Sequence, residues 1–200
     1  MNLVRLGLFL VLMSATLCAC ALNEQPVVLK SGDLPFEGNI CRIAVLPFAN
    51  QTEYNTAETI FGRVFVSELI AKGNYLVSHE GDIRRILTQM RMLPGRILSS
   101  EQVRGLADRL GAQVVISGTI LETTENMGKK RGNPSLAVVL RVLEASTGRT
   151  IWITYKRSEG SDYRLVMHFG SIKSLPALAK NVAADIIDMW EKEGFNKCTE

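Results

Sequence analysis

The chain has 200 residues and a mass of 22.1 kDa, and 46% of its residues are hydrophobic while 22% are charged. This balance excludes an intrinsically disordered protein, which combines low hydrophobicity with a high net charge. The formal net charge is only +3, from 23 basic and 20 acidic residues. Dedicated nucleic-acid binders usually carry a stronger basic excess, so no nucleic-acid partner is expected.

The first 19 residues have the pattern of a signal peptide. One basic residue, Arg5, precedes an apolar run of 12 residues at positions 6–17. A transmembrane helix needs about 20 apolar residues. The run is too short to span a membrane and is typical of the hydrophobic part of a secretory signal.

The segment Leu17-Cys18-Ala19-Cys20 resembles the cleavage site of bacterial lipoproteins. The resemblance implies cleavage before Cys20, which then carries a thioether-linked diacylglycerol and an amide-linked acyl chain such as palmitate. Ala21 stands where an aspartate would retain a lipoprotein in the inner membrane, so we expect a lipid-anchored protein on the periplasmic face of the outer membrane. The alternative is a simple secretory signal that a cysteine follows by coincidence.

Residues 20–40 are expected to form the lipidated cysteine and a tether, and residues 41–200 a single globular periplasmic domain. The tether prediction rests on two prolines, two glycines and mixed polar residues within 21–39. A tether of roughly 20 residues would span about 70 Å at most when fully extended.

The cysteines support an extracytoplasmic location. Of the four, Cys18 leaves with the signal peptide and Cys20 takes the lipid. Cys41 and Cys198 remain, and an oxidising compartment favours a disulfide between them. Two unpaired thiols are the alternative, because the sequence does not give the distance between them.

Hydrophobic periodicity predicts the element order β-α-β-α-α-β-β-β-α. The strands are expected at 41–48, 75–77, 113–121, 136–144 and 149–157. The helices are expected to begin near Asn55, Asp82, Ser99 and Ser174, and Ser99 with Gln102 forms a capping box. Alternating strands and helices followed by hairpins predict an α/β fold, a single sandwich of a mixed sheet with helices packed on it.

Three stretches resemble one group of bacterial envelope proteins. They are residues 42–48 (RIAVLPF) with Asn50 and Thr52, residues 106–120 (LADRLGAQVVISGTI) and residues 143–148 (LEASTG). The group includes the curli secretion lipoprotein (CsgG), the N-terminal domain of the Tol-system β-propeller protein and the lipoprotein activator of a penicillin-binding protein. The resemblance covers residues 41–157 and implies a fold similar to an anticodon-binding domain. Its motifs are strand ends and turns, which specify a fold rather than a chemistry.

Signals of catalysis and of metal binding are weak. The sequence holds no G-x-S-x-G, no Walker loop and no H-E-x-x-H. Ser78-His79-Glu80 brings three reactive residue types together, but a catalytic relay depends on geometry rather than on adjacent positions. The other histidine, His168, lies in an apolar stretch, and no Cys or His pair has the spacing of metal ligands. We expect neither an enzyme nor a metal or other cofactor.

Lys129, Lys130 and Arg131 form the densest positive run and fall in a polar connection between two strands. They are a candidate interaction loop for anionic lipid head groups or an acidic partner surface. The alternative is solvated charge without a partner. The loops at 50–55 and 93–100 are further candidate places for an interaction.

These patterns predict an accessory or assembly factor of an envelope machine that acts by binding an envelope protein. One alternative, implied by the resemblance, is an activator of a peptidoglycan synthase, which needs a tether long enough to reach through the cell wall. Another is a homo-oligomeric subunit of a secretion-associated ring. A curli-type pore is not expected, because the chain lacks hairpins with membrane-spanning strands of about 9–11 residues.

Overall fold

The computed structural model describes residues 25–30, 40–73, 75–125, 133–164, 170–195 and 198. Its strands are β1 (Val27–Lys30), β2 (Arg42–Val45), β3 (Ala49–Asn50), β4 (Leu76–Val77), β5 (Val114–Thr124), β6 (Ser135–Glu144) and β7 (Thr150–Glu159). Its helices are α1 (Ala57–Gly73), α2 (Glu80–Gln89), α3 (Ser100–Leu110) and α4 (Leu175–Lys192), and a 3-10 turn at Gly160–Tyr163 follows β7. Within these residues, no helix has the length and apolar character needed to cross a bilayer.

The strands form one mixed sheet in the order β1-β7-β6-β5-β2-β4, and β3 pairs with β5 beyond the end of β2. β2 pairs in parallel with both β4 and β5, whereas the pairs β5–β6, β6–β7 and β7–β1 are antiparallel. The parallel pairs are those joined by helices, and the antiparallel pair β6–β7 is joined by a short turn. This arrangement confirms the predicted α/β class, with helices packed on a mixed sheet.

The helical connections run in opposite directions along the sheet, first from β2 to the edge strand β4 and then back from β4, past β2, to β5. α1 links β2 to β4 on one side, and α2 with α3 links β4 to β5 on the other side. Connections between parallel strands are right-handed, so connections that run in opposite directions lie on opposite faces of the sheet. The direction of the connections thus reverses around β2, which makes the carboxyl end of this strand a topological switch point. α/β proteins bind ligands in the crevice at such points.

The larger core lies between the sheet and the helix pair α1 and α4. Phe61, Phe65 and Leu69 of α1 are fully buried and recur at the spacing of one helical turn. Trp190 of α4 packs edge-on against Phe65, with ring centroids 5.8 Å apart. The apolar stripe that predicted α4 from the sequence is the face that this core buries.

The helices α2 and α3 cover only part of the opposite face of the sheet. Their apolar side chains form a second, smaller core with Ala44, Val115 and Leu143 of the sheet. α3 begins with the predicted capping box, in which Ser99 Oγ accepts from the backbone N–H of Gln102 at 3.2 Å and Gln102 Oε1 accepts from the backbone N–H of Ser99 at 2.9 Å.

The strand β1 lies inside the segment that the sequence indicates as a tether. Its four residues pair antiparallel with β7, and Lys30 forms a salt bridge of 2.7 Å with Glu193. Lys30 Nζ also lies 5.0 Å from the ring centroid of Trp152. Backbone hydrogen bonds to the edge of β7 hold these four residues as a strand. Four residues are too few to show the alternating pattern by which a strand is predicted from the sequence. The predicted tether of residues 20–40 therefore contains a strand of the sheet, and residues 21–26 lie between Cys20 and Val27 in the sequence.

Candidate functional site

A groove of about 360 Å³ opens at the carboxyl end of β2, where the chain diverges. α1 forms one wall of the groove, the start of α2 forms the other, and the segment after β2 forms the floor. The lining residues are Val45, Leu46, Pro47, Phe48, Glu58, Thr59, Gly62, Arg63, Val66, Ser78, Glu80, Ile83, Arg84 and Pro94.

The floor of the groove is apolar, and contacts with β5 and with α1 hold it in place. The backbone N–H of Leu46 donates to the carbonyl oxygen of Ile116 at 2.8 Å, which extends the β2–β5 pairing by one residue. Pro47 then ends the strand, because proline has no N–H to donate. The ring of Phe48 packs against Phe61 of α1, with centroids 5.7 Å apart. The sequence RIAVLPF thus builds a surface rather than a flexible loop.

The rim of the groove carries a glutamate between two arginines. Glu80 Oε1 accepts from Nε and Nη2 of Arg84, each at 2.8 Å, and Glu80 Oε2 lies 3.9 Å from Nε of Arg63. All three side chains are at least half exposed, so these pairs contribute little to stability and can exchange partners. A guanidinium has five N–H donors, so both arginines retain donors for a carboxylate outside the chain.

This arrangement offers two kinds of contact to a ligand. An apolar floor accepts an apolar side chain, and an arginine-bearing rim binds a carboxylate and fixes its orientation. Thr59 and Ser78 supply hydroxyl groups, but the lining formed by the described residues contains neither histidine nor cysteine.

Asn50 and Thr52, two residues of the resemblance motif, form a turn beside the groove. Asn50 Oδ1 accepts from the backbone N–H and the hydroxyl of Thr52 at 2.9 and 2.8 Å. Asn50 Nδ2 donates to the carbonyl oxygen of Tyr54 and to Glu58 Oε2, each at 2.8 Å. The loop at 50–55 is fixed to α1 by these bonds, so Asn50 and Thr52 support the groove and do not line it.

The loop at 93–100, the other candidate place in the sequence, contributes only Pro94 to the lining. A β-carbon on Gly95 would approach the carbonyl oxygen of Phe48 to 3.2 Å, so the loop is pressed against the chain next to β3. The groove residues Arg63 and Arg84 were not predicted, and Glu80 was considered only as part of Ser78-His79-Glu80. The only sequence signal for them is indirect, namely the divergence of connections after the first predicted strand.

Cys41 and Cys198 form a disulfide, with Cα atoms 4.7 Å apart. The backbone N–H of Cys41 donates to Gln113 Oε1 at 2.8 Å, and that of Cys198 donates to the carbonyl oxygen of Gly73 at 3.3 Å. Cys41 precedes β2, so the bond lies at the opposite end of this strand from the groove. It ties the C-terminal segment to the sheet and to the end of α1.

A second polar cluster crosses the outer face of the sheet. Arg157 of β7 donates to Glu122 of β5 at 3.1 and 3.2 Å and to Glu159 at 3.0 Å. Arg157 and Glu122 reach each other over Ala137 of β6, which is paired with both. The hydrogen bond from Arg157 holds the pKa of Glu122 below its ordinary value. These bonds all lie on one face of the sheet and link β5 to β7.

The remaining predicted site residues are not part of the groove. Cys20, the basic run Lys129, Lys130 and Arg131, and His168 all lie outside the described residues. The strands that flank the basic run, β5 and β6, meet at the end of the sheet where β1 begins.

His79 is exposed and precedes α2, where its side chain forms no capping hydrogen bond. Its neighbour Ser78 lines the groove, whereas His79 does not. The part of the chain that the structure describes brings together no group of three or more His, Cys, Asp and Glu side chains able to hold a metal ion.

Comparison with known proteins identifies the fold. No family model matches the sequence, and no curated protein matches it. Among solved structures, the PelC dodecamer from Paraburkholderia phytofirmans is similar with a TM-score of 0.54 and 21% identity, over 81% of this chain and 94% of that chain. A structure of a single-residue variant of the same dodecamer is similar with a TM-score of 0.55 and 20% identity, over 80% of this chain and 96% of that chain.

Two further structures share the architecture. The lipoprotein GNA1162 from Neisseria meningitidis is similar with a TM-score of 0.53 and 12% identity, over 76% of this chain and 99% of that chain. The hypothetical protein CT253 from Chlamydia trachomatis is similar with a TM-score of 0.50 and 16% identity, over 76% of this chain and 96% of that chain. At these identities the likeness shows a shared fold, and bacterial lipoproteins are among the proteins that have it.

Proposed function

We propose that the protein is a lipid-anchored envelope protein, attached through Cys20 to the outer membrane, that acts as an accessory or assembly factor. The groove between α1 and α2 is the proposed binding site for a protein partner. The observation that carries this proposal is the apolar floor beneath a rim of Arg63, Glu80 and Arg84. Its lipoprotein part rests on the signal-peptide resemblance and is supported by the shared fold of the lipoprotein GNA1162.

The short connection between Cys20 and β1 limits how far from the membrane a partner can be bound. Residues 21–26 separate Cys20 from Val27, and seven steps along an extended chain span about 25 Å at most. This reach is far below the roughly 70 Å of a tether that extends to residue 40. A domain held so close to the bilayer favours a partner at the membrane and disfavours an activator that must reach a synthase through the wall.

Binding is proposed rather than catalysis. The charged side chains of the groove contact one another across an exposed rim, and Glu58 is held by Asn50 at 2.8 Å. The groove therefore offers recognition chemistry in the residues that line it.

A ring subunit is the second candidate function. It is favoured by one observation, that the PelC structures with this fold are dodecamers and match over 80% and 81% of this chain. Sedimentation of the purified lipidated protein in detergent tests this candidate. A single species of high and defined order supports a ring, whereas a concentration-independent monomer contradicts it.

The anchor is tested by replacing Cys20 with Ala. We expect the variant to leave the membrane fraction and to lose incorporation of labelled palmitate, while Cys41→Ala combined with Cys198→Ala retains both. If Cys20→Ala still pellets with membranes and takes up label as before, the lipoprotein assignment is wrong.

The groove is tested by site-specific photocrosslinking in intact cells. A photoreactive residue at Thr59 or Arg84 should capture one discrete envelope protein, identified by mass spectrometry. The same residue at Glu101, exposed on α3 and away from the groove, serves as the control. Reversing the rim charge with Arg63→Glu and Arg84→Glu should abolish capture at Thr59 in a folded protein. Identical products at Thr59 and Glu101 would contradict the proposal.

A further inference from the structure

The outer face of β1 and β7 exposes four apolar side chains side by side. Val27 lies opposite Tyr155, and Leu29 lies opposite Ile153, so alternation along each strand places all four on one face. Their exposed fractions are 48% for Val27, 63% for Leu29, and 36% for Ile153 and Tyr155. We call these four residues the β1–β7 face.

The helices α2 and α3 pack on the same side of the sheet as the β1–β7 face but do not cover it. On that side of the sheet, the second core takes in Ala44, Val115 and Leu143, from β2, β5 and the end of β6. The intervening side chains on the opposite face, Trp152 among them, are buried beneath α4. The outer face of the sheet thus exposes four apolar side chains on β1 and β7, and the Glu122–Arg157–Glu159 cluster lies next to them on the same face.

We infer that the β1–β7 face docks on the surface of the lipid bilayer that holds the anchor. The inference rests on the proposed lipidation of Cys20, because the seven chain steps from Cys20 to Val27 keep this edge of the sheet within about 25 Å of the lipid. The strand β1, which follows the proposed lipidation site in the sequence, also contains Leu29, the most exposed residue of the face.

The chemistry of the face matches the boundary between head groups and acyl chains. Aliphatic side chains insert into that boundary, and tyrosine is favoured there because its ring is apolar and its hydroxyl is polar. Arg141 pairs with Ile153 on the same face and is half-buried. Its guanidinium forms no ion pair with any residue that the structure describes. A lipid phosphate is a fitting counter-charge for it.

The test uses the full lipidated protein in vesicles of phosphatidylethanolamine and phosphatidylglycerol that contain nitroxide-labelled lipid. A fluorescent probe is attached to Leu29→Cys or Tyr155→Cys, with the native disulfide left oxidised. The control is Leu76→Cys, because Leu76 is 62% exposed and lies on β4, at the opposite edge of the sheet. Five strand intervals of about 4.8 Å separate the two edges.

We expect the nitroxide lipid to quench the probe at positions 29 and 155 several-fold more than at 76. Adding Leu29→Asp to the Tyr155→Cys protein should lower that quenching to the level at 76, with circular dichroism unchanged. Equal quenching at all three positions in protein that floats with the vesicles would overturn the docking and leave the anchor intact.

Two other outcomes are distinct. A probe signal at position 29 that responds to protein concentration but not to nitroxide lipid would show that a second copy of the chain covers the face, which also overturns the proposal. Protein that does not float with the vesicles would refute the lipid anchor, and the docking would fall with it.

Discussion

The indole nitrogen of Trp190 donates a hydrogen bond of 2.6 Å to the hydroxyl oxygen of Thr154, and both side chains are fully buried. The bond joins α4 to β7 inside the larger core. A buried N–H that loses its acceptor costs about 1–3 kcal/mol. This contact therefore adds to the apolar packing that holds the last helix on the sheet.

Replacing Thr154 with Val should lower the free energy of unfolding by about 1–3 kcal/mol, because valine keeps the shape but removes the acceptor. Thr154→Ser is the matched control, since it keeps the hydroxyl and loses one methyl group, at a cost of about 0.8 kcal/mol. Urea unfolding of the oxidised protein measures both. A valine variant as stable as the native protein would show that the hydrogen bond contributes nothing.

Removing the disulfide should have a larger effect. The bond closes a loop with a sequence separation of 157 residues, and loop-closure entropy then limits its contribution to about 5 kcal/mol. We expect Cys41→Ala with Cys198→Ala to lower stability toward that limit, and reduction of the native protein to reproduce the loss. A change below about 1 kcal/mol in urea unfolding would mean that the unfolded chain is not restrained by the bond.

Two glycines should respond to alanine in opposite directions. Gly148 has a φ of +69°, and a β-carbon there would collide with the carbonyl oxygen of Ser100 at the start of α3. Gly148→Ala should destabilise the protein by about 1–3 kcal/mol. Gly81 in α2 has open space around its α-carbon, so Gly81→Ala should stabilise by about 0.4–1 kcal/mol. Thermal unfolding that shifts in the same direction for both variants would contradict this pair of expectations.

The Glu122–Arg157 pair predicts a pH dependence at acid pH. The pKa of Glu122 is lowered from its ordinary 4.5, chiefly by the hydrogen bond from Arg157. A carboxyl whose pKa is depressed on folding stabilises the folded state above its unfolded pKa, and this contribution is lost as the pH falls through the folded pKa. The stability difference between the native protein and Glu122→Gln should be constant near neutral pH and shrink below 4.5.

Carboxyl NMR titration measures the same effect directly. Arg157→Gln should move the pKa of Glu122 back toward its ordinary value, whereas Arg63→Gln, at the groove, should leave it in place. The pair is partly exposed, so its contribution to stability is about 0.2–1 kcal/mol and the titration is the more sensitive readout. A Glu122 carboxyl that titrates at its ordinary value in the native protein would refute the bond.

Local signals in the sequence account for most of the fold. The meander of β5, β6 and β7 follows from alternating side chains, and Ser99 with Gln102 marks the start of α3. β1 was not predicted, because four residues carry too little pattern and their partner strand lies more than 100 positions away in the sequence. The disulfide could be raised only as one of two alternatives, since the fold alone sets the distance between Cys41 and Cys198.

The groove could not be predicted for a related reason. Its lining comes from four segments, 45–48, 58–66, 78–84 and 94, which meet only through the crossovers from β2 to β4 and from β4 to β5. The sequence marks the strand end at Pro47 but gives no indication that Arg63 and Arg84 lie on either side of Glu80. Contacts between segments that crossover connections bring together depend on the topology of the sheet. Local patterns of residues along the chain do not specify that topology.

The position of β1 has a practical consequence for any shortened form of the protein. The sequence-based boundary at Cys41 would remove β1 together with the tether and leave β7 as the edge of the sheet. An open edge of unpaired N–H and C=O groups is a template for pairing with another chain. A version that starts at Cys41 would therefore be prone to aggregate, whereas one that starts at Gln25 keeps its own strand over that edge.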